Sequence, residues 1–184
     1  MTLRVISGSA KGRRLKSVPG DTTRPVTDRV KESLFDILYR DVEESSWWDL
    51  FGGTGAIGIE ALSRGAGFVR FTDLNRLPVE VIKSNLQTCG LATKADVRRG
   101  DAFALLAATP GRLFDYVYIA PPQYKEMWSR ALRLVDANPG WLSDDAWVIA
   151  QIDPREYQEL TLEHLEKFDE RKYGSTLLVF YEKT

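Results

Sequence analysis

A glycine-rich turn preceded by an acidic residue is the part of this sequence whose residue types and spacing most clearly indicate chemistry. The apolar stretch 46–51 runs into a turn in which Gly53, Gly55 and Gly58 satisfy the pattern G-x-G-x-x-G of dinucleotide-binding proteins. Asp49 lies ahead of these glycines, where its carboxylate would repel a pyrophosphate. A ligand with a cationic amino group fits better, and S-adenosylmethionine carries both an ammonium and a sulfonium. We therefore expect Asp49, Gly53 and Gly55 to bind S-adenosylmethionine.

Two further acids follow expected strands at positions that suit an adenosyl ligand. Asp73 comes 18 residues after Gly55, close to the spacing of a ribose-binding acid, and its carboxylate could accept from both ribose hydroxyls. Asp101 follows the next strand and could accept from the adenine amino group. Each acid taken alone is also a common helix cap. Together with Asp49 they form a set at successive strand ends, where open α/β sheets bind ligands.

A proline-rich loop follows the fourth expected strand and is the candidate site for a target base. Two consecutive prolines fix the backbone and remove two N–H donors, which leaves carbonyl groups available to accept hydrogen bonds. Such a loop, beside an aromatic ring, could hold an exocyclic amine and stack on its base. The loop residues are Ala120, Pro121, Pro122, Gln123 and Tyr124.

The charge of the chain is unevenly distributed. Its net charge is -1, yet residues 1–40 carry nine basic and four acidic residues, a net of +5, and the remainder carries -6. A basic amino-terminal segment on an acidic body predicts local attraction to phosphates without general nucleic-acid binding. Cys89 is the single cysteine, which excludes an internal disulfide, and we expect His164, the single histidine, to be structural or at the surface.

Several classes of protein are disfavoured by composition. Apolar residues make up 43% and charged residues 28%, as in an ordinary globular domain. No stretch approaches the roughly 18 apolar residues that span a bilayer, and the amino terminus lacks the apolar region of a signal peptide, so we expect a cytoplasmic protein without a membrane partner. We also expect no metal, because methyl transfer from a sulfonium needs none.

The pattern of apolar residues predicts the elements that must position these groups. Residues 28–39 show helical spacing, and Pro78 to Gly90 mark the start and end of another helix. Helices alternate with short strands, which predicts a mainly parallel sheet covered on both faces. The sequence also predicts an opening hairpin, 3–6 with 14–17, and a closing antiparallel pair, 162–170 with 175–182. The expected parallel strands are 46–51, 68–72, 95–99, 113–119 and 146–152.

Beyond these local patterns, the chain resembles the RsmD-type bacterial methyltransferases, which modify the N2 amine of a guanine in small-subunit ribosomal RNA. The resemblance extends over nearly the whole chain, and its most specific block runs from Arg24 to Phe35. Further matches are 4–8, 11–15, the glycine segment through Ala66, and 173–176. It implies a Rossmann-like, seven-stranded α/β methyltransferase fold whose amino-terminal hairpin contacts RNA.

The resemblance also implies roles for individual residues. We add Arg24, Thr27 and Ala102 to the candidate cofactor-binding residues. We expect residues 1–40 to form an RNA-contacting extension and 41–184 to form the methyltransferase domain. The candidate RNA-binding residues are Lys11, Arg13, Arg14, Arg29 and Lys31.

One departure from the family pattern leaves alternatives open. The family carries Asp or Asn before the paired prolines and an aromatic residue directly after them, whereas this chain has Ala120 and Gln123 there, with Tyr124 one position later. Either loop carbonyls with Gln123 replace the missing acceptor, or the target is another RNA, a protein or a small molecule. A non-catalytic RNA-binding module is a further alternative. A nicotinamide dehydrogenase is disfavoured by Asp49.

Overall fold

A seven-stranded sheet with helices on both faces forms the body of the protein. The computed structural model describes residues 2–20, 26–123 and 126–184. The strand order is β3-β2-β1-β4-β5-β7-β6, with β7 antiparallel to both β5 and β6 and the other neighbours parallel. The strands are β1 (Ser46–Asp49), β2 (Phe68–Asp73), β3 (Ala95–Arg99), β4 (Phe114–Ile119), β5 (Leu142–Ile152), β6 (Leu165–Tyr173) and β7 (Thr176–Lys183).

The helices cover the sheet; the first precedes β1, and the others connect successive parallel strands. Short 3-10 turns at Tyr39–Val42, Ala92–Lys94, Pro139–Trp141 and Pro154–Glu156 complete the connections. None of the helices in the described residues is long and apolar enough to cross a membrane. The α-helices are α1 (Asp28–Leu38), α2 (Ala56–Ser63), α3 (Arg76–Cys89), α4 (Ala102–Ala107) and α5 (Met127–Ala137).

Two apolar cores lie on opposite faces of the sheet, because successive strand residues point to opposite sides. The first core contains Trp47, Tyr118 and Ile149 together with apolar residues of α1, α2 and α3. The second contains Trp48 and Val117 together with apolar residues of α4 and α5. Strands that bury both faces need large apolar or aromatic residues at consecutive positions, which explains Trp47 and Trp48 in β1 and the run 116–119 in β4.

These observations confirm the predicted fold class and most of the predicted elements. The helix marked by Pro78 and Gly90 is α3, which ends where Gly90 adopts a left-handed conformation with φ of 69°. Strand β5 begins at Leu142, four residues earlier than predicted, and its pairing with β4 is irregular between Phe114 and Tyr116. The closing antiparallel pair is confirmed as β6 and β7.

The amino-terminal hairpin is shorter than two predicted strands. Its ladder has one bridge, Arg4 to Arg14, flanked by bonds from Val5 N to Arg13 O and from Leu15 N to Leu3 O. The chain cannot extend this ladder beyond Val5 because the N–H groups of the next two residues, Ile6 and Ser7, donate to the carboxylate of Glu60 on α2, each at 3.0 Å. The hairpin is therefore docked onto α2.

A buried ion pair joins this hairpin to α1 and α2. The side chains of Lys31 and Glu60 are both fully buried, with 3.6 Å between Lys31 Nζ and Glu60 Oε2. Lys31 also donates to the carbonyl of Arg4, and Arg64 Nε donates to Glu60 Oε1 at 2.9 Å. Burial lowers the pKa of Lys31, and the neighbouring Glu60 opposes that change. The Glu60 carboxylate thus gathers two backbone donors and two cations at one point.

Candidate active site

A single cavity of about 920 Å³ lies at the carboxyl ends of the parallel strands, and it brings together most of the predicted site residues. This volume suits a small organic ligand. Glycine-turn residues, the acid at the end of each of β1 and β2, and the proline loop line it. Members of its wall are Asp49, Gly53, Asp73, Asp101, Ala102, Ala120, Pro121, Pro122 and Gln123.

Asp49 ends β1 and sits beneath the glycine turn with only 3% of its surface exposed. One carboxylate oxygen accepts from the backbone N–H of Gly58 at 3.3 Å. Burial raises the pKa of the Asp49 carboxyl well above its usual range, the Gly58 bond opposes that rise, and the nearby Asp73 adds to it. A cation in the cavity would favour the ionised form of Asp49 and would offset the free energy that burial of its charge requires.

The glycine turn leaves its backbone open towards the cavity. Gly53 has φ of 57°, a left-handed conformation, and a Cβ built there would meet no atom within 4 Å. Gly58 serves a different purpose, because a Cβ there would lie 2.3 Å from the Phe71 ring of β2. Gly55 caps the start of α2 and faces Ile82 rather than the cavity wall. Of the two glycines predicted to bind a ligand, the structure therefore places Gly53 at the cavity.

Asp73 and Asp101 stand at the ends of neighbouring strands, as predicted. Asp73 accepts from Gly53 N at 3.1 Å and from Asn75 N at 3.0 Å, which ties the end of β2 to the glycine turn. Asp101 caps α4 by accepting from Phe103 N at 2.9 Å. Capping and ligand binding are compatible here, because Asp101 also lines the cavity and is exposed to it.

The remaining predicted cofactor and target residues divide into three groups. Ala120, Pro121, Pro122 and Gln123 are half-buried at the end of β4. Thr27 caps α1, its hydroxyl accepting from Val30 N at 3.3 Å, while its neighbour Val26 lines the cavity. Arg24 and Tyr124 lie outside the described residues.

The candidate RNA-binding residues are mostly exposed, with one exception. Lys11, Arg13 and Arg14 are exposed on the hairpin, and Arg29 is exposed on α1 with its guanidinium 5.9 Å from the centre of the Tyr173 ring. The prediction for Lys31 was wrong, because its ammonium is buried against Glu60 and cannot reach a phosphate. Helical spacing had already placed Val30 and Leu34 on the inner face, and a lysine beside them becomes buried when an acid faces it.

Several cavity residues, among them Tyr118, Gln151 and Thr176, were not predicted from the sequence. Tyr118 is 1% exposed, and its hydroxyl donates to the side-chain oxygen of Gln151 on β5; Thr176 lines the cavity at the start of β7. Burial raises the pKa of Tyr118 well above its usual range, and the charge of Asp49 adds to this. A polar Gln at the end of the apolar stretch Ala146–Ile152 was the available sequence signal.

The buried Asp49 carboxyl predicts a pH dependence of stability. The pKa of Asp49 is higher in the folded protein than in the unfolded chain, so the folded protein binds the carboxyl proton more tightly. The contribution of Asp49 to stability therefore declines as the pH rises above about 4, where the unfolded chain loses that proton. We expect Asp49→Asn, which cannot ionise, to melt at the same temperature as the wild type near that pH and at a progressively higher temperature towards about pH 8. Thermal melts without cofactor across this range test the expectation. Asp145→Asn, a substitution at an exposed position, is the matched control. If the difference in melting temperature between Asp49→Asn and the wild type did not change with pH, the expectation for Asp49 would be wrong.

The donor set of the cavity fits S-adenosylmethionine. Asp49 offers a buried carboxylate for an ammonium, Asp73 offers acceptors for a ribose diol, and Asp101 stands at the next strand end. The open backbone at Gly53 permits a ligand to lie directly on the turn. A pyrophosphate would instead meet the two acids Asp49 and Asp73 at the same turn, and like charges repel.

Comparisons with known proteins agree with this geometry. The protein family described as "Conserved hypothetical protein 95" matches residues 3–182. The chain is 39% identical to the protein named "Putative rRNA methyltransferase YlbH" of Bacillus subtilis (strain 168), over 98% of this chain and 99% of that protein. It is 33% identical to ribosomal RNA small subunit methyltransferase D of Escherichia coli (strain K12), over 81% of this chain and 74% of that protein.

A solved structure shares the whole architecture. The protein described as "Putative methyltransferase yhhF from Escherichia coli" superposes with a TM-score of 0.87 at 29% identity, covering 100% of this chain and 98% of that one. The family match, the Bacillus subtilis relative and the shared fold cover nearly the full length of the chain, and the Escherichia coli relative covers 81% of it. The chain therefore belongs to the family described as "Conserved hypothetical protein 95", the RsmD-type family of S-adenosylmethionine-dependent methyltransferases.

Proposed function

We propose that this protein transfers a methyl group from S-adenosylmethionine to the N2 amine of a guanine in small-subunit ribosomal RNA. The observation that carries the proposal is one cavity that joins three strand-end acids to a rigid proline loop. The ribosomal RNA methyltransferases among its relatives support the choice of substrate. The exposed basic hairpin supports an RNA partner.

The chain's own residues divide the work between two ends of the cavity. Asp49, Gly53, Asp73, Asp101 and Ala102 would hold the cofactor, which supplies a methyl carbon activated by a positive sulfur. The half-buried loop 120–123 would hold the guanine. A guanine amine is a weak nucleophile because its lone pair is delocalised into the ring, so the main contribution of the protein is orientation. The new nitrogen–carbon bond forms as the sulfur–carbon bond breaks, the sulfur becomes neutral, and the amine releases one proton to water.

Reaching a guanine inside folded RNA requires the base to leave its stack. A cavity of about 920 Å³ beside a fixed loop can receive a flipped base, whose loss of stacking is offset by contacts with the pocket. Residues 1–40 are proposed to contact the surrounding RNA and 41–184 to hold cofactor and base. The hairpin is nevertheless firmly part of the fold, since Leu3, Val5 and Leu15 are buried in the first core.

Transfer of labelled methyl groups tests the proposal directly. The substrates are small ribosomal subunits that lack this methylation, and the RNA stripped from them, each digested to nucleosides after incubation with labelled S-adenosylmethionine. We expect label in N2-methylguanosine. Label in another nucleoside, or none in RNA while S-adenosylhomocysteine still binds, would replace this proposal with another acceptor or with a non-catalytic RNA-binding module. Those alternatives are motivated by Ala120, which stands where the family carries Asp or Asn.

If the exposed arginines of the hairpin contact RNA phosphates, removing their charge should weaken the binding of ribosomal RNA. Arg13→Ser with Arg14→Ser should raise the KM for ribosomal RNA by about 10-fold or more and flatten its dependence on salt, because two phosphate contacts are lost. Affinity for S-adenosylhomocysteine should stay unchanged. The control is Arg112→Ser with Arg133→Ser, which removes two exposed arginines on the side of the sheet that carries the second core, one over the Phe68 ring and one on α5. This double variant should leave the KM unaltered. Equal effects of the two double variants would argue against a specific RNA contact by the hairpin.

A further inference from the structure

The loop that would hold the target base lacks a side-chain acceptor at its first position. A guanine N2 amine carries two N–H groups, and a buried donor without a partner costs free energy. Ala120 is half-buried at the end of β4 and packs against the first core with only a methyl group. Another group on the same cavity wall must therefore accept from the amine if the loop carbonyls do not.

The register of the sheet puts Gln151 beside Ala120. Strands β4 and β5 are parallel, with Tyr118 opposite Ile149 and Ile119 opposite Ala150. Continuing this register by one residue places Gln151 opposite Ala120. Tyr118 and Ile149 belong to the first core, and side chains two residues apart share a face, so Ala120 and Gln151 occupy that same face. Both residues line the cavity.

Tyr118 fixes the orientation of the Gln151 amide. Its hydroxyl donates to Gln151 Oε1, and burial of Tyr118, with the charge of Asp49 nearby, keeps the phenol protonated and thus a donor. A carboxamide oxygen has two lone pairs, and this bond uses one. The bonded amide therefore keeps its oxygen, rather than its NH₂ group, beside Tyr118, with one lone pair left to accept.

We propose that Gln151, oriented by Tyr118, accepts a hydrogen bond from the target amine and replaces the acceptor that is missing at Ala120. Gln151 is then a catalytic residue that touches the substrate, and Tyr118 is a positioning residue. A neutral amide does not take the proton; it orients the amine towards the methyl group while the proton passes to water. This inference rests on the proposed function and assigns to Gln151 the recognition of a substrate amine through the hydrogen bond that the amine donates.

Removal and relocation of the acceptor test this role. Gln151→Ala should lower kcat on stripped ribosomal RNA by about 10- to 100-fold, with little change in the dissociation constant of S-adenosylhomocysteine. The melting temperature should fall by only several degrees, because the buried Tyr118 hydroxyl loses its acceptor. Adding Ala120→Asn to Gln151→Ala should restore much of the activity, because an amide oxygen returns to the same wall. Gln158→Ala, an exposed site, is the matched control and should behave as the wild type.

A second variant separates acceptance from mere packing. Gln151→Glu keeps an acceptor and adds a titratable group, so kcat should remain within about 10-fold at neutral pH and gain an acidic limb in its pH profile that the wild type lacks. Tyr118→Phe should lower kcat less than Gln151→Ala does, since the acceptor remains but is no longer fixed.

The outcomes distinguish this inference from the proposed function. A wild-type protein that labels no guanine overturns the function itself. An active wild type with an equally active Gln151→Ala overturns the role of Gln151, and loss in Gln123→Ala alone would assign the acceptor to the loop. If Gln151→Ala loses activity only together with melting temperature and cofactor affinity, and Ala120→Asn does not rescue it, Gln151 is structural.

Discussion

Glu60→Ala should destabilise the protein by about 3–5 kcal/mol, because it leaves the buried Lys31 ammonium without its partner. The same change removes the acceptor from Ile6 N and Ser7 N, which releases the hairpin from α2. For a chain of this size the melting temperature should fall by on the order of 10 °C. Chemical denaturation and calorimetry measure both quantities.

A double variant identifies the cause of that loss. Glu60→Gln keeps one carbonyl acceptor but removes the charge, and adding Lys31→Met should recover part of the stability because no unpaired charge then remains buried. Glu80→Ala breaks an exposed i,i+4 pair with Arg76, at 2.8 Å, and should cost less than about 1 kcal/mol. If Glu60→Ala costs no more than Glu80→Ala, the buried cluster does not hold the hairpin.

Asp73→Ala should weaken binding of S-adenosylhomocysteine by about 100-fold, since a charged acceptor at the ribose position is lost. This acid also accepts from Gly53 N and Asn75 N, so the shape of the turn depends on it. Asp73→Asn retains one acceptor oxygen and should weaken binding by about 10-fold. Titration calorimetry gives the affinities, and thermal melts show whether the fold is kept.

The control for Asp73 is an acid of the same type away from the cavity. Asp169 lies on β6 and forms an ion pair with Arg171 at 3.0 Å, and Asp169→Ala should leave the affinity unchanged. Unchanged affinity in Asp73→Ala, with the fold intact, would remove Asp73 from the cofactor site. Because the readout is binding rather than turnover, this result does not depend on the identity of the methyl acceptor.

Much of the fold follows from local patterns that survive folding. The apolar strands, the glycine turn and the helix ending at Gly90 were predictable because each rests on backbone conformation or periodicity. Asp49, Asp73 and Asp101 could be grouped because parallel strands end at one edge of the sheet, whatever the details of packing. The hairpin was predicted too long because its competing partner, Glu60, lies 54 residues from Ile6.

The sequence by itself determined the order of elements, the glycine turn and the acids at the strand ends, since these depend on neighbouring residues and on the period of the chain. Only the tertiary structure decided which charges are buried and which side chains meet. Lys31 proved to be an anchor because α2 brings Glu60 to it. Gln151 meets Tyr118, 33 residues away, because β5 pairs with β4 in one particular register. Register and burial arise from contacts between distant segments, and no local pattern contains them.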